Sequence, residues 1–184
     1  MRNRRSGKPR RAPLAGPTRR KVGCCVPNSN GGNARRPEPV SFVSCSPGET
    51  EAAGCALGRR LRPGDCVCLL GELGAGKTRF VSGAMRALGA KAPVLSPTFI
   101  LARETRIRRT GRAAVHMDFY RLKVPAEQRG LMDYLDGNRI VFIEWADRDR
   151  SFWPPEPIVV RIDRLPGTRR RIKITMPAGR GAGK

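Results

Sequence analysis

The sequence is poor in several features, and each shortage argues against a class of function. It has a single histidine, His116, so a metal site built from clustered imidazoles is not expected. Its apolar runs reach only about five residues, whereas a membrane-spanning helix needs about 20. Residues 1–23 lack the apolar core of a secretory signal peptide. We therefore expect no contact with a membrane.

The six cysteines form no C-x-x-C pair. Cys66 and Cys68 fall within an apolar run, where we expect them to be small buried hydrophobic residues. Cys24 and Cys25 are adjacent, but too few other metal ligands lie near them for a zinc site. This use of cysteine predicts a reducing compartment, the cytoplasm.

Acidic residues are scarce, and the excess positive charge is concentrated at the two ends of the chain. The formal net charge is +22; residues 1–38 carry 11 Lys/Arg and one acid, and residues 161–184 carry 8 and one. Because the first segment has almost no large apolar residues, we predict a disordered extension at 1–38, one domain at 39–176 and a basic tail at 177–184. Such basic segments either bind nucleic acid, by attraction to its phosphate groups, or are simply solvated.

The strongest motif is Gly-Glu-Leu-Gly-Ala-Gly-Lys-Thr at residues 71–78, which fits G-x-x-x-x-G-K-[S/T] at every fixed position. Glycines let the backbone turn successive N–H groups toward a phosphate chain. Lys77 is then expected to reach the β- and γ-phosphates, and the Thr78 hydroxyl to bind Mg²⁺. The motif predicts a site for nucleotide phosphates.

The neighbours of this loop fit the same interpretation. Cys66–Leu70 is a continuous apolar run, as expected for a buried parallel strand. Apolar residues then recur at helical spacing as far as Leu88, and Gly89 is placed to end the helix. Strand, glycine loop and helix in this order predict an α/β nucleotide-binding domain.

A second part of the site is predicted where another apolar strand ends. Ile140–Ile143 is followed by Glu144, whose carboxylate is expected to reach Mg²⁺ beside the phosphate loop. Asp118 lies near the end of an earlier strand, where it either orients water or a metal ligand or caps a turn. Trp145 either covers the site, anchors a partner or packs in the core.

The remaining elements are predicted from apolar periodicity and turn residues. Ser46 is expected to cap a helix that runs to about Leu61, with an inward face of Ala53, Ala56, Leu57 and Leu61. Other predicted elements are strands at 40–45, 99–107, 113–119, 158–162 and 169–175, and a short helix within 125–136. The 99–119 hairpin carries arginines that form either a solvated face or a contact for phosphates or an acidic partner: Arg103, Arg106, Arg108, Arg109 and Arg112.

Five blocks, taken together and in order, resemble the TsaE (YjeE) family, which are small bacterial P-loop ATPases of tRNA threonylcarbamoyladenosine synthesis. The blocks are Gly71–Thr78, Ser96–Phe99, His116–Leu122, Gly130–Tyr134 and Ile143–Trp145. The Ser-Pro-Thr-Phe and Ile-Glu-Trp blocks are more specific than the phosphate loop. The resemblance covers about residues 40–175.

This resemblance implies a P-loop NTPase fold, with a mixed and mostly parallel sheet flanked by helices and a C-terminal hairpin. It implies ATP and Mg²⁺ as ligands, slow ATP hydrolysis, and association with the TsaB–TsaD pair, through which contact with tRNA is indirect. It assigns catalysis to Lys77, Asp118 and Glu144, and Mg²⁺ to Thr78 and Glu144. It places the 96–99 loop and Asp118 near the γ-phosphate. Around the nucleotide it places Thr50, Glu72, Leu73, Gly74, Ala75, Gly76, Lys77 and Thr78.

Two other functions remain open from the residues. A small-molecule kinase also combines a phosphate loop with an acid, and it would bind an acceptor and transfer phosphate rapidly. A basic RNA-binding protein with a vestigial nucleotide site would bind RNA through its tails even without Lys77. A GTPase is not expected, because the sequence has no N-K-x-D motif for guanine.

Overall fold

The structure, a computed structural model, describes residues 38–90, 97, 100–108, 111–122 and 130–178. In chain order these residues form β1 (Val40–Ser44), α1 (Pro47–Gly58), β2 (Cys66–Leu70), α2 (Lys77–Leu88), β3 (Ala102–Arg106), β4 (Ala113–Asp118), β5 (Ile140–Glu144), β6 (Ile158–Arg164) and β7 (Arg170–Thr175). Several predictions fall outside the described residues: those on 1–37, Ser96, Thr98, Phe99, Arg109, the 125–129 part of the short helix, and 179–184.

The strands form one mixed sheet in the order β1-β7-β6-β2-β5-β4-β3. The four central strands, β6, β2, β5 and β4, are parallel, and the pairs at both edges are antiparallel. The predicted C-terminal hairpin is formed by β6 and β7. Because parallel strands end at the same edge, Leu69, Glu144 and Asp118 come side by side on β2, β5 and β4. The predicted α/β architecture, a mixed sheet flanked by helices, is confirmed.

Apolar side chains fill both faces of the sheet. On one face, α1 and α2 cover a cluster that includes Leu57, Phe80 and Phe142. On the other face, residues from the 131–135 and 145–153 segments pack over a cluster that includes Cys68 and Phe152. Cys66 and Cys68 are both buried, as predicted. Within the ranges that the structure describes, no helix is long and apolar enough to cross a membrane.

Glycines bring the backbones of α1 and α2 into close contact. A Cβ atom on Gly54 would lie 1.9 Å from the backbone carbonyl oxygen of Phe80. A Cβ atom on Gly83 would lie equally close, 1.9 Å, to the carbonyl oxygen of Glu51. The two helix backbones therefore touch, and this contact holds α2, with the phosphate loop at its N-terminus, against α1.

Three details of the predicted elements are wrong. Helix α1 ends at Gly58 and not near Leu61. Ala56 is exposed, because α1 turns its glycine side toward α2. The strand predicted from residue 99 begins only at Ala102, since Leu101 has a left-handed backbone conformation, with a φ of 59°, that interrupts the extended chain.

Candidate functional site

The loop between β2 and α2 presents the N-terminus of α2 at the carboxyl edge of the sheet. Gly76 is the N-cap residue and has a φ of 110°, a conformation that residues with a side chain rarely adopt. Since glycine has no side chain to accept from the first-turn N–H groups, these donors and the helix dipole are available to an anion. A phosphate group fits this arrangement.

A cleft of about 430 Å³ lies beside the loop. It is lined by the loop and α2, by the ends of β4 and β5, and by residues just after them: Leu73, Gly74, Gly76, Lys77, Thr78, Arg79, Asp118, Tyr120, Glu144 and Trp145. The structure thus brings together the phosphate loop and both predicted carboxylates, which are far apart in the sequence. The described arginines of the β3–β4 hairpin are exposed and lie outside this lining.

Three residues that the resemblance assigns to the nucleotide do not line this cleft: Thr50, Glu72 and Ala75. The Thr50 hydroxyl oxygen lies 2.6 Å from Ser44 Oγ in the interior. The Thr50 methyl carbon lies 3.4 Å from the point that a Cβ on Gly76 would occupy, so Thr50 packs against the loop from behind. Ala75 is buried, and the Glu72 side chain is exposed.

Lys77 is buried and makes its contacts within the loop. Its Nζ donates to the carbonyl oxygens of Gly71 at 2.6 Å and Glu72 at 2.9 Å. The same atom lies 3.7 Å from the centroid of the Trp145 ring, within range of a cation–π interaction. Burial lowers the pKa of the Lys77 ammonium, while the nearby negative charge, first of all that of Glu144, acts to raise it.

Both oxygens of the Glu144 carboxylate are engaged. Thr78 Oγ1 donates to Oε2 at 3.0 Å, and His116 Nε2 lies 2.8 Å from Oε1. Glu144 and His116 are buried, with exposed fractions of 3% and 1%. Sequence reasoning missed His116 as a site residue. The available signal was its place two residues before Asp118, which puts both side chains on the same face of β4.

Asp118 lies beside Glu144 in the β4–β5 ladder and is buried. Its Oδ1 accepts from the backbone N–H of Tyr120 at 2.9 Å, so the alternative role of capping a turn is seen in the geometry. Asp118 also lines the cleft, and this position is equally compatible with orienting water.

The chemistry of these donors suits Mg²⁺ that is bound together with phosphate. The Thr78 hydroxyl and the Glu144 carboxylate supply oxygen ligands, which hard cations prefer. In the described part of the chain there is no group of three His, Cys, Asp or Glu residues that could hold a metal alone. Mg²⁺ normally takes one or two protein ligands and completes its shell with water and phosphate oxygens, so the residues present fit that ion.

Comparison with known proteins agrees with the predicted resemblance. The family model described as "Threonylcarbamoyl adenosine biosynthesis protein TsaE" matches residues 44–172. A Bacillus subtilis protein named tRNA threonylcarbamoyladenosine biosynthesis protein TsaE is 34% identical over 141 residues, which cover 77% of this chain and 88% of the relative. A Mycobacterium leprae protein of the same name is 43% identical over 125 residues, which cover 64% and 78%.

A solved structure shows the same fold. The crystal structure of YdiB from Bacillus subtilis superposes with a TM-score of 0.65 at 29% sequence identity, and the match covers 78% of this chain and 88% of YdiB. The family match includes the phosphate loop and the strands that carry Asp118 and Glu144. This chain belongs to the TsaE family of threonylcarbamoyl adenosine biosynthesis proteins.

Proposed function

We propose that this protein binds ATP with Mg²⁺, hydrolyses ATP slowly on its own, and acts in the cytoplasm with the TsaB–TsaD pair in threonylcarbamoyladenosine modification of tRNA. The observation that carries the nucleotide part is the 3.0 Å contact between Thr78 Oγ1 and Glu144 Oε2, beside the N-terminus of α2. A phosphate-loop NTPase needs a hydroxyl and a carboxylate side by side as metal ligands, and these two residues supply them.

In this proposal the triphosphate lies in the cleft against the first-turn N–H groups of α2. Lys77 exchanges its contacts with the loop carbonyl oxygens for contacts with the β- and γ-phosphates. Thr78 and Glu144 would hold Mg²⁺, and that ion would neutralise the charge that develops on the phosphate. Asp118, next to Glu144 in the ladder, orients the attacking water.

The partner part of the proposal is supported by the names of the relatives and by the rim of the cleft. Both relatives cited above are named for tRNA threonylcarbamoyladenosine biosynthesis. At the rim, the Tyr120 and Trp145 rings lie 5.0 Å apart and are both partly exposed. Aromatic residues of this kind serve as anchors in protein interfaces, and Trp145 also contacts Lys77. Such rings can report the state of the nucleotide to TsaB–TsaD, and tRNA is then reached through that complex.

Measuring ATP hydrolysis by the full chain tests this proposal. We expect a slow rate alone and a faster rate when purified TsaB–TsaD and tRNA are added. Lys77→Ala removes a charge-assisted contact and should lower ATP affinity roughly tenfold or more. Arg79→Ala, which also removes one cleft cation, should have a smaller effect because the Arg79 side chain is 64% exposed.

Other outcomes would favour the other two functions. Rapid phosphate transfer to a small acceptor, with no response to TsaB–TsaD, would identify a kinase. RNA binding that survives Lys77→Ala, in a protein that neither binds nor hydrolyses ATP, would identify an RNA-binding protein with a vestigial site. Equal ATP affinity and hydrolysis in wild type and Lys77→Ala would reject the nucleotide site itself.

A further inference from the structure

His116 is the only histidine in the chain, and it is buried on β4 with an exposed fraction of 1%. In the β4–β5 ladder it pairs with Phe142, while Asp118 pairs with Glu144. Side chains two residues apart on a strand share a face. The imidazole therefore lies one step back from the cleft, behind the Glu144 carboxylate.

The two oxygens of Glu144 have different partners. Oε2 accepts from the Thr78 hydroxyl at 3.0 Å, and Oε1 lies 2.8 Å from His116 Nε2. Since an ionised carboxylate only accepts, the proton of the second contact is on the imidazole nitrogen. One oxygen is thus held from behind by a buried ring, and the other is left directed at Thr78, where the metal would bind.

The second ring nitrogen of His116 makes the imidazole unfavourable for fold stability at this position. Nδ1 of His116 is buried and has no hydrogen-bond partner among the residues that the structure describes. An unpaired buried polar atom destabilises a fold, whereas the neighbouring β4 residues Ala114, Val115 and Met117 are buried and apolar. Packing alone would be served better by an apolar side chain, so the contact with Glu144 is the feature that accounts for the histidine.

We propose that His116 is a positioning residue that fixes the Glu144 carboxylate for Mg²⁺. This role rests on the function proposed above, because it assumes that Glu144 is a metal ligand. Residues that hold a metal ligand from behind typically change metal affinity by about 10–100-fold when they are replaced. His116 does not line the cleft, so it would touch neither nucleotide nor metal itself.

Two amide substitutions form a matched pair. In His116→Gln the amide nitrogen can take the place of Nε2 and still donate to Glu144, whereas in His116→Asn the shorter amide corresponds to Nδ1 and does not reach. With a fluorescent ATP analogue, we expect His116→Asn to raise the Mg²⁺ concentration for half-maximal binding by roughly tenfold or more. His116→Gln should stay close to wild type. Binding of the analogue in EDTA should be the same in all three proteins.

The single imidazole also gives a spectroscopic test on the wild-type chain. Because there is one histidine, the NMR signals of its ring nitrogens can be assigned directly. We expect a signal from a hydrogen-bonded Nε2–H. In Glu144→Gln this signal should shift or disappear, because the amide oxygen is a weaker acceptor than the carboxylate. If that signal is absent, or if His116→Asn has the wild-type Mg²⁺ requirement while Glu144→Gln raises it, the positioning role is wrong. If Glu144→Gln itself leaves the Mg²⁺ requirement unchanged, the assignment of Glu144 fails, and the inference fails with it.

Discussion

The ammonium nitrogen of Lys77 lies 3.7 Å from the centroid of the Trp145 indole ring. The same nitrogen donates to two carbonyl oxygens of the phosphate loop, those of Gly71 and Glu72. The ammonium of Lys77, which the sequence assigns to phosphate binding, therefore already has protein partners. An incoming triphosphate has to compete with a cation–π contact and two hydrogen bonds.

Tryptophan emission should report that competition. The chain has two tryptophans, so Trp153→Phe leaves Trp145 as the single reporter. We expect ATP to change its emission, because Lys77 leaves the ring when it binds phosphate. Adding Lys77→Ala to this background should abolish the response at the same ATP concentration. Unchanged emission in the Trp153→Phe protein, with ATP binding verified by calorimetry, would show that the lysine keeps its place.

Nucleotide affinity should depend on pH through Lys77. Burial lowers the pKa of this ammonium, and the charged form is the one that attracts phosphate. Affinity should therefore be full at lower pH and should fall as the pH rises through that lowered pKa, earlier than for an ordinary lysine. Calorimetric titrations of ATP over an alkaline pH series measure this. Lys77→Arg keeps its charge and should give a flat profile, so an equal fall in both proteins would assign the effect to another group.

Glu144→Gln should separate nucleotide binding from metal use. A neutral amide is a poorer Mg²⁺ ligand, so we expect Mg²⁺-dependent hydrolysis to drop by roughly tenfold or more while binding in EDTA is retained. Asp118→Asn provides the comparison, since its carboxylate is the neighbour in the same ladder. Loss of Mg²⁺ dependence in Asp118→Asn alone would move the ligand role to Asp118.

Much of the fold follows from local patterns in the sequence. Ser46 caps α1 as predicted, with its Oγ accepting from the Glu49 N–H at 3.1 Å while Glu49 Oε2 accepts from Cys45 N–H at 2.8 Å. The bounds of β2 and α2 agree with the predicted apolar run and with Gly89 as the helix end. These features depend on neighbouring residues, so sequence spacing is enough to find them.

Contacts between segments that are distant in the chain could not be predicted from sequence patterns. The contact of His116 with Glu144 needs the pairing of β4 with β5, 28 residues apart in the chain. The contact of Lys77 with Trp145 similarly depends on the left-handed backbone of Trp145, with a φ of 57°, directly after β5. No local periodicity encodes either geometry. The close packing of the α1 glycines against α2 was not predicted, because glycine in a sequence indicates a weak helix former and not a packing residue.

The glycine contact between the helices predicts a difference between two substitutions in one helix. In Gly54→Ala the new methyl group would meet the Phe80 carbonyl oxygen, whereas the nearest atom to a Cβ on Gly48 is 3.8 Å away. We expect Gly54→Ala to lower the free energy of unfolding by about 1–3 kcal/mol or more, as overpacking does. Gly48→Ala should change it by less than about 1 kcal/mol, with a small gain from helix propensity. Denaturant unfolding of both variants measures the difference, and equal stabilities would mean that α1 and α2 are not in backbone contact.

The proposed role in tRNA modification is tested by measuring threonylcarbamoyladenosine formation on tRNA. Purified TsaB–TsaD is supplied with the threonylcarbamoyl donor, with and without this protein. We predict that repeated rounds of modification require the wild-type chain and hydrolysable ATP, and that Lys77→Ala and Glu144→Gln do not support them. Modification that proceeds equally without the protein, together with no co-elution with TsaB–TsaD in any nucleotide state, would contradict the proposed function.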